Sequence, residues 1–189
     1  QTMFTVCSAL VLSPYFLVTH TKDEIKKSYT FIPNLYFVIA LILIIPSIYI
    51  ASQVYASFKI QKYVMGEINA NPVYATNEVV KLPNIPNLST SALPVKALIA
   101  RYYIRDKNFP AAIKLLKESY NDNPYIHYND FLLTSVYASQ NNFDSTLVYA
   151  KRAFYNWPRA TSYYKNMIFA AVRKKDTIEL NKAFDTSVK

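Results

Sequence analysis

The C-terminal half of the sequence repeats itself at an interval of 34 residues. The interval separates three matched pairs: Pro124 and Pro158, Tyr103 and Tyr137, and Phe109 and Phe143. A period of this length is typical of a helix–turn–helix unit that buries its apolar face only by stacking on its neighbours. The repeat therefore predicts an array of helical hairpins. An array of this kind is suited to binding other molecules rather than to catalysis.

Small residues recur in the same register as the aromatic ones. The first unit, counted from Leu93, has them at Ala100, Ala112 and Ser119, and the second, counted from His127, at Thr134, Thr146 and Ala153. This is the pattern of the tetratricopeptide (TPR) repeat, in which small residues let paired helices approach closely. It predicts a TPR-like domain over residues 93–189, with units 93–126, 127–160 and 161–189. The alternative is an ordinary set of helical hairpins.

The third unit, counted from Thr161, keeps the pattern less well. Phe184 and Ser187 hold their places, but Leu180 occupies a small-residue position and the turn at residues 173–176 has no aromatic residue. Terminal repeats are often atypical because one of their faces has no neighbour. This unit is therefore predicted to be a terminal pair of helices.

The N-terminal half contains long uncharged stretches. Residues 28–58 include no Asp, Glu, Lys or Arg, and residues 35–50 are almost entirely apolar. About 20 apolar residues suffice to cross the hydrocarbon of a bilayer. A transmembrane helix is predicted over residues 31–62, with Pro46 tolerated inside it.

Residues 1–20 are also apolar and uncharged, and they predict a second, truncated transmembrane helix joined to the first by a short loop at residues 21–30. The chain begins on Gln1 with this apolar run already in progress, which favours a piece of a longer chain. The alternative is a processed or misassigned start. A secretory signal is less suitable because no basic leading region is present.

Proline and asparagine dominate the stretch between the membrane helix and the repeats. Pro83 and Pro86 each restrict the residue before them, so this part cannot be a helix interior. The composition predicts a stiff linker over residues 63–92.

Catalytic and cofactor motifs are missing from the sequence. A single glycine cannot form a Gly-rich phosphate loop, His20 and His127 lie in different halves, and Cys7 is the sole cysteine. No catalytic residue, metal site or cofactor is predicted. The net charge of +9 suits anionic lipid or anionic glycan, and without a basic run no nucleic-acid partner is expected.

A binding surface is predicted on the first helix of each unit, where TPR arrays receive ligands. Its candidate residues are Arg101, Arg105, Tyr128, Phe131, Lys165 and Arg173. Arginines exposed at the margins of an aromatic strip could hold an acidic peptide or an anionic glycan. The alternative is a solvated basic face around a packed Phe131.

The positions of the lysines predict which side of the membrane the repeats occupy. The loop at residues 21–30 carries Lys22, Lys26 and Lys27, whereas Lys59 and Lys62 follow the second apolar run. Positive charge favours the cytoplasmic side, so the repeats are expected on the extracytoplasmic, periplasmic side of a bacterial inner membrane.

Three features follow one another along the chain: the apolar runs, the stretch LPNIPNLSTSALP at residues 82–94, and the repeat segments KALIARYYIRDKNFPAAIKLL and YAKRAFYNWP. In this order they are similar to the C-terminal portion of bacterial O-antigen ligase/polymerase-like membrane proteins. The resemblance implies a cell-envelope enzyme that transfers lipid-linked glycan. No residue here corresponds to the extracytoplasmic loop that carries the reactive groups of such enzymes. The chain is therefore expected to be inactive alone, as an accessory module that binds a partner protein or braces the parent enzyme. The alternative is a non-enzymatic, membrane-anchored TPR scaffold.

Overall fold

A computed structural model describes residues 31–69, 71–83 and 85–188, with side chains from Phe37 onward. Within these ranges the chain is all-helical, as predicted, and the one β-type pairing is an isolated bridge between Leu88 and Pro94. The α-helices, numbered in chain order, are α1 (Phe31–Gly66), α2 (Thr76–Val79), α3 (Val95–Arg105), α4 (Phe109–Glu118), α5 (Tyr128–Ser139), α6 (Phe143–Asn156), α7 (Thr161–Lys174) and α8 (Thr177–Val188). The predicted helix at residues 1–20 and the loop at 21–30 lie outside the described residues.

Helix α1 is long and apolar enough to cross a membrane over Phe37–Gly66, and the apolar window within it is not buried by the protein. Two of its hydroxyls are satisfied within the helix, since the Ser47 hydroxyl donates to the Leu43 carbonyl and the Ser52 hydroxyl to the Tyr49 carbonyl, both at 2.7 Å. Such bonding is what an apolar solvent requires of a hydroxyl. These features are consistent with membrane association.

The chain divides into two compact units, one ending at Ser52 and the other beginning at Gln53. The second unit contains three helical hairpins, α3–α4, α5–α6 and α7–α8. Each helix packs against the next in order, and the first helices also contact one another, α3 with α5 and α5 with α7. The first helices of the three hairpins therefore share one side of the stack.

The three hairpins turn in the same way. Lys107, Asn141 and Lys175 all adopt left-handed backbone conformations, with φ of 58°, 57° and 55°, and they are spaced 34 residues apart. The following residues, Asn108, Asn142 and Asp176, donate their backbone N–H to the carbonyl five residues earlier, at 2.8, 3.0 and 2.9 Å. This closes the end of each first helix in the manner of a Schellman motif. The third hairpin has the same turn although its sequence has no aromatic residue there.

The start of each second helix is also capped in the same way. Asn108 accepts from the Ala111 N–H at 3.4 Å, Asn142 from the Ser145 N–H at 3.1 Å, and Asp176 from the Glu179 N–H at 3.0 Å. Side-chain oxygens in this position satisfy a backbone donor that the helix leaves unpaired. The structural period thus matches the period of the sequence at the turns.

Part of the stretch predicted as a stiff linker packs against the first hairpin. Its first residues complete α1, which continues past Lys62 to Gly66. Further along, Val79 and Leu82 are buried against Leu98 and Tyr102 of α3 in one apolar cluster. Burial of these apolar side chains, at about 25 cal/mol per Å², holds the segment around Val79 and Leu82 against the first hairpin.

Candidate ligand groove

A groove of about 1430 Å³ runs along the side formed by the first helices of the hairpins. Helix α3 contributes Ile104, helix α5 contributes Ser135, and helix α7 contributes Ser162 near its N-terminus. The walls are completed by residues outside the helices, which include Ile68, Asn69, Asn71, Pro72, Tyr125, Ile126, His127, Trp157 and Ala160. The groove therefore depends on the packed segment that follows α1 as well as on the repeats.

Stacked aromatic rings form a continuous row in the groove. The ring centroids of Tyr128 and Phe131 lie 6.1 Å apart, those of Phe131 and Tyr163 lie 5.1 Å apart, and Trp157 meets the Tyr163 ring edge-on at 6.2 Å. Burial raises the pKa of Tyr128 and that of Tyr163 to about 12. The row joins α5 to α7 and gives the groove an apolar surface.

Exposed aromatic and amide side chains lie at the edges of the groove. Tyr125 is 88% exposed and Trp157 is 62% exposed. Asn69, Asn71 and Asn156 also line the groove. Exposed rings provide contact area at small conformational cost, and amides can both donate and accept hydrogen bonds. The edges are therefore suited to hold a ligand that has apolar groups and a polar backbone.

His127 lies in the groove and is held by a buried carboxylate. Its Nδ1 is 2.8 Å from Oδ2 of Asp130, whose side chain is fully buried. The Tyr120 hydroxyl donates to Oδ1 of Asp130 at 2.6 Å, and Nε of Arg152 is 3.3 Å from the same oxygen. Burial, followed by the bond to Asp130, raises the pKa of Tyr120. The donors around Asp130 compensate for its burial and fix the imidazole.

Two of the predicted binding residues are structural. Arg101 was expected to be exposed, and this expectation is wrong, because only 8% of the residue is accessible and its Nη2 donates to the Glu67 carbonyl at 2.8 Å. The guanidinium of Arg105 donates to the carbonyls of Pro72 at 3.1 Å and Tyr74 at 2.6 Å, and to the Thr76 hydroxyl at 2.7 Å. Both arginines line the groove, but their hydrogen bonds fix its wall.

Of the remaining four predicted residues, two line the groove and two lie elsewhere on α7. Tyr128 and Phe131 line the groove, whereas Lys165 and Arg173 do not. The guanidinium of Arg173 lies over the ring of Phe169 at 5.3 Å. Lys165 is exposed on α7. Helix α7 contributes only Ser162 and Tyr163 to the groove. Lys165 follows Tyr163 by two residues and so lies on a different face of the helix, whereas Arg173 lies near the C-terminal end of the helix.

Sequence reasoning missed the groove edges. Tyr125, Trp157 and His127 lie next to the repeated prolines, in the connections between hairpins, where helical periodicity carries no information. Trp157 is the sole tryptophan of the chain, and an aromatic residue beside a connecting turn was a usable signal. Among the described residues, no group of three or more His, Cys, Asp or Glu side chains is placed to hold a metal ion.

Comparison with known proteins finds no matching family model and no significant match among curated proteins or solved structures.

Proposed function

We propose that this chain is a membrane-anchored module of the TPR type that binds an extended segment of a partner protein in its groove. The observation that carries the proposal is the aromatic row of Tyr128, Phe131, Tyr163 and Trp157 along the side shared by the first helices. The repeated turns at Lys107, Asn141 and Lys175 support the TPR assignment. An extended peptide suits the groove because its side chains can contact the rings while its backbone bonds to amides at the edges.

The module is proposed to act as part of a larger cell-envelope protein. The resemblance of its sequence to the tail of O-antigen ligase/polymerase-like proteins supports a role beside a glycan transferase in the bacterial inner membrane, with the repeats in the periplasm. In that setting the groove receives a segment of the enzyme body or of a partner. The helix α1 supplies the anchor, since it is long and apolar enough to span the bilayer.

The groove is tested with the full chain in lipid nanodiscs. A phage-displayed library of random peptides is panned against it, and recovered peptides are titrated while the fluorescence of Trp157 is followed. Because Trp157 is the sole tryptophan and lies in the groove, a saturable change reports binding there. Tyr125→Ser should weaken binding roughly tenfold, as expected for an exposed aromatic anchor.

Val148→Ser is the matched control, because Val148 is 54% exposed and is not among the groove residues. An anionic oligosaccharide, such as an oligogalacturonate, is titrated in parallel as the rival ligand. Failure to recover any peptide, or equal binding to wild type and Tyr125→Ser, would contradict a peptide groove. Saturation by the oligosaccharide alone would assign the groove to glycan instead.

The role beside a glycan transferase has its own test. An enzyme of that kind needs a multi-span body, so the reading frame upstream of Gln1 should encode several further apolar segments of about 20 residues and one long polar loop. Sequencing the transcript decides the matter. A start codon within a few dozen codons of Gln1 would exclude the transferase and leave the non-enzymatic scaffold.

A further inference from the structure

Helix α8 leaves an apolar face exposed on the outer side of the third hairpin. Phe184 is 59% exposed and Val188, one turn later, is 71% exposed, while the adjacent Ala183, on another face of the helix, is fully buried. Residues four apart lie above one another on a helix, so Phe184 and Val188 form one surface. Large apolar side chains that are adjacent and exposed are a feature of contact surfaces.

The 34-residue interval identifies the residues equivalent to Phe184 and Val188 in the earlier hairpins, and their burial can be compared. Phe184 corresponds to Ala150 in the second hairpin and to Leu116 in the first, and both of these residues are fully buried. Val188 corresponds to Phe154, which is also fully buried. The exposed face of α8 is therefore the surface that the other second helices bury.

The same chain shows twice what covers this surface. Over α4, helix α5 packs Leu132, Leu133 and Val136 in the cluster that contains Leu116. Over α6, helix α7 packs Tyr163, Met167 and Ala170 in the cluster that contains Ala150 and Phe154. In both cases the cover is the first helix of the next hairpin, and its apolar residues recur every three or four positions.

From this continuity we infer that the face of α8 binds an amphipathic helix from a partner protein, which extends the stack by one layer. The partner helix has apolar residues that recur every three or four positions, as α7 has at Tyr163, Met167 and Ala170.

A second copy of this chain is a less suitable occupant. Its equivalent covering helix would be α3, and α3 is already packed against Val79 and Leu82. Head-to-tail stacking of two copies would have to displace these buried side chains. The surface lies on the outer helix of the third hairpin and shares no residue with the groove, so it can be tested independently of peptide binding.

The probe is a fluorescent, end-capped peptide with the sequence of residues 127–140, which contains the helix that covers Leu116. It is titrated onto the full chain in nanodiscs and followed by fluorescence anisotropy. Saturable binding is expected, and the double variant Phe184→Gln with Val188→Gln should weaken it at least tenfold. Val148→Gln, at an exposed apolar site on α6, should leave it unchanged.

Two further measurements keep the result interpretable. Because Phe184 and Val188 are exposed, the double variant should melt at the wild-type temperature. A probe with Leu133→Ser and Val136→Ser should bind at least tenfold less well than the parent peptide.

No saturable binding, or equal binding to wild type and double variant, would overturn the inference. A wild-type chain that forms dimers in detergent, abolished by the double variant, would assign the face to a second copy and overturn the partner helix.

Discussion

The hydroxyl of Tyr102 donates a hydrogen bond to the carboxylate of Glu67 at 2.9 Å, which joins α3 to the residue that follows α1. The same carboxylate accepts the backbone N–H groups of Val73 and Tyr74, each at 3.0 Å. Burial, followed by the bond to Glu67, raises the pKa of Tyr102. One acidic side chain thus determines how the chain leaves α1 and approaches the first hairpin.

Replacing Tyr102 by Phe should therefore destabilise the second unit. The ring remains buried, but the Glu67 carboxylate loses one of its donors, and a hydrogen bond to a charged group contributes about 1.5–3 kcal/mol. Urea unfolding of the full chain in detergent, followed by circular dichroism, measures the loss. The control is a double-mutant cycle with Glu67→Gln. Strictly additive losses in that cycle would show that the two side chains do not interact.

Arg105 is predicted to act on the groove wall rather than on a ligand directly. Arg105→Met keeps the aliphatic stem but removes the donors to Pro72, Tyr74 and Thr76. The amides of residues 73–80 should then exchange with deuterium at least tenfold faster, since the open state of this segment becomes easier to reach. Lys114→Met, at an exposed position on α4, serves as the control. Equal exchange in the two variants would contradict this role.

The left-handed turn residues predict a gain in stability on substitution by glycine. Lys107 and Lys175 adopt φ near 55–58°, a conformation that costs a residue with a Cβ about 1 kcal/mol. Lys107→Gly and Lys175→Gly should each stabilise the protein by about 0.5–1 kcal/mol. Asn141→Gly should gain less, because asparagine tolerates this conformation.

The control for these variants is Lys114→Gly, which places glycine inside α4 and should cost about 1 kcal/mol. Thermal unfolding of the four variants in one detergent gives the ranking. A loss of stability in Lys107→Gly as large as that in Lys114→Gly would show that the turn is not left-handed in solution.

Local patterns were sufficient to predict the helical class and the apolar helix. Helix pairing at an interval of 34 residues depends on residues such as Tyr103, Pro124 and Asn108 that act within one hairpin. The apolar helix is a property of a single uncharged run. Both signals are short in range, so a sequence carries them without knowledge of the tertiary structure.

The wall of the groove depends on contacts that periodicity does not encode. The bond from Arg101 to Glu67 spans 34 positions, and the apolar cluster of Val79, Leu82 and Leu98 joins a proline-rich stretch to a helix. A prediction based on helix faces placed Arg101 in solvent, because the covering segment was assigned as a linker. The groove edges lie in connections between hairpins, where tertiary packing alone decides which side chains converge.

Two tyrosines of the aromatic row, the half-buried Tyr128 and the buried Tyr163, predict a loss of stability in alkali. Burial raises the pKa of Tyr128 and that of Tyr163 from 10.0 to about 12. The folded state therefore keeps protons that the unfolded state releases between about pH 10 and 12. The stability that comes from these protonated hydroxyls is fully present below pH 10 and falls as the pH rises through this window, by at most about 1.4 kcal/mol per pH unit for each group.

The ultraviolet absorbance of phenolate, recorded together with circular dichroism, should show a late group of tyrosines that titrates as the helices unfold. Tyr128→Phe should make the alkaline loss of stability less steep and leave the profile near neutral pH unchanged. Titration of all tyrosines in one step near pH 10, with the helical signal intact, would show that the row is open to solvent.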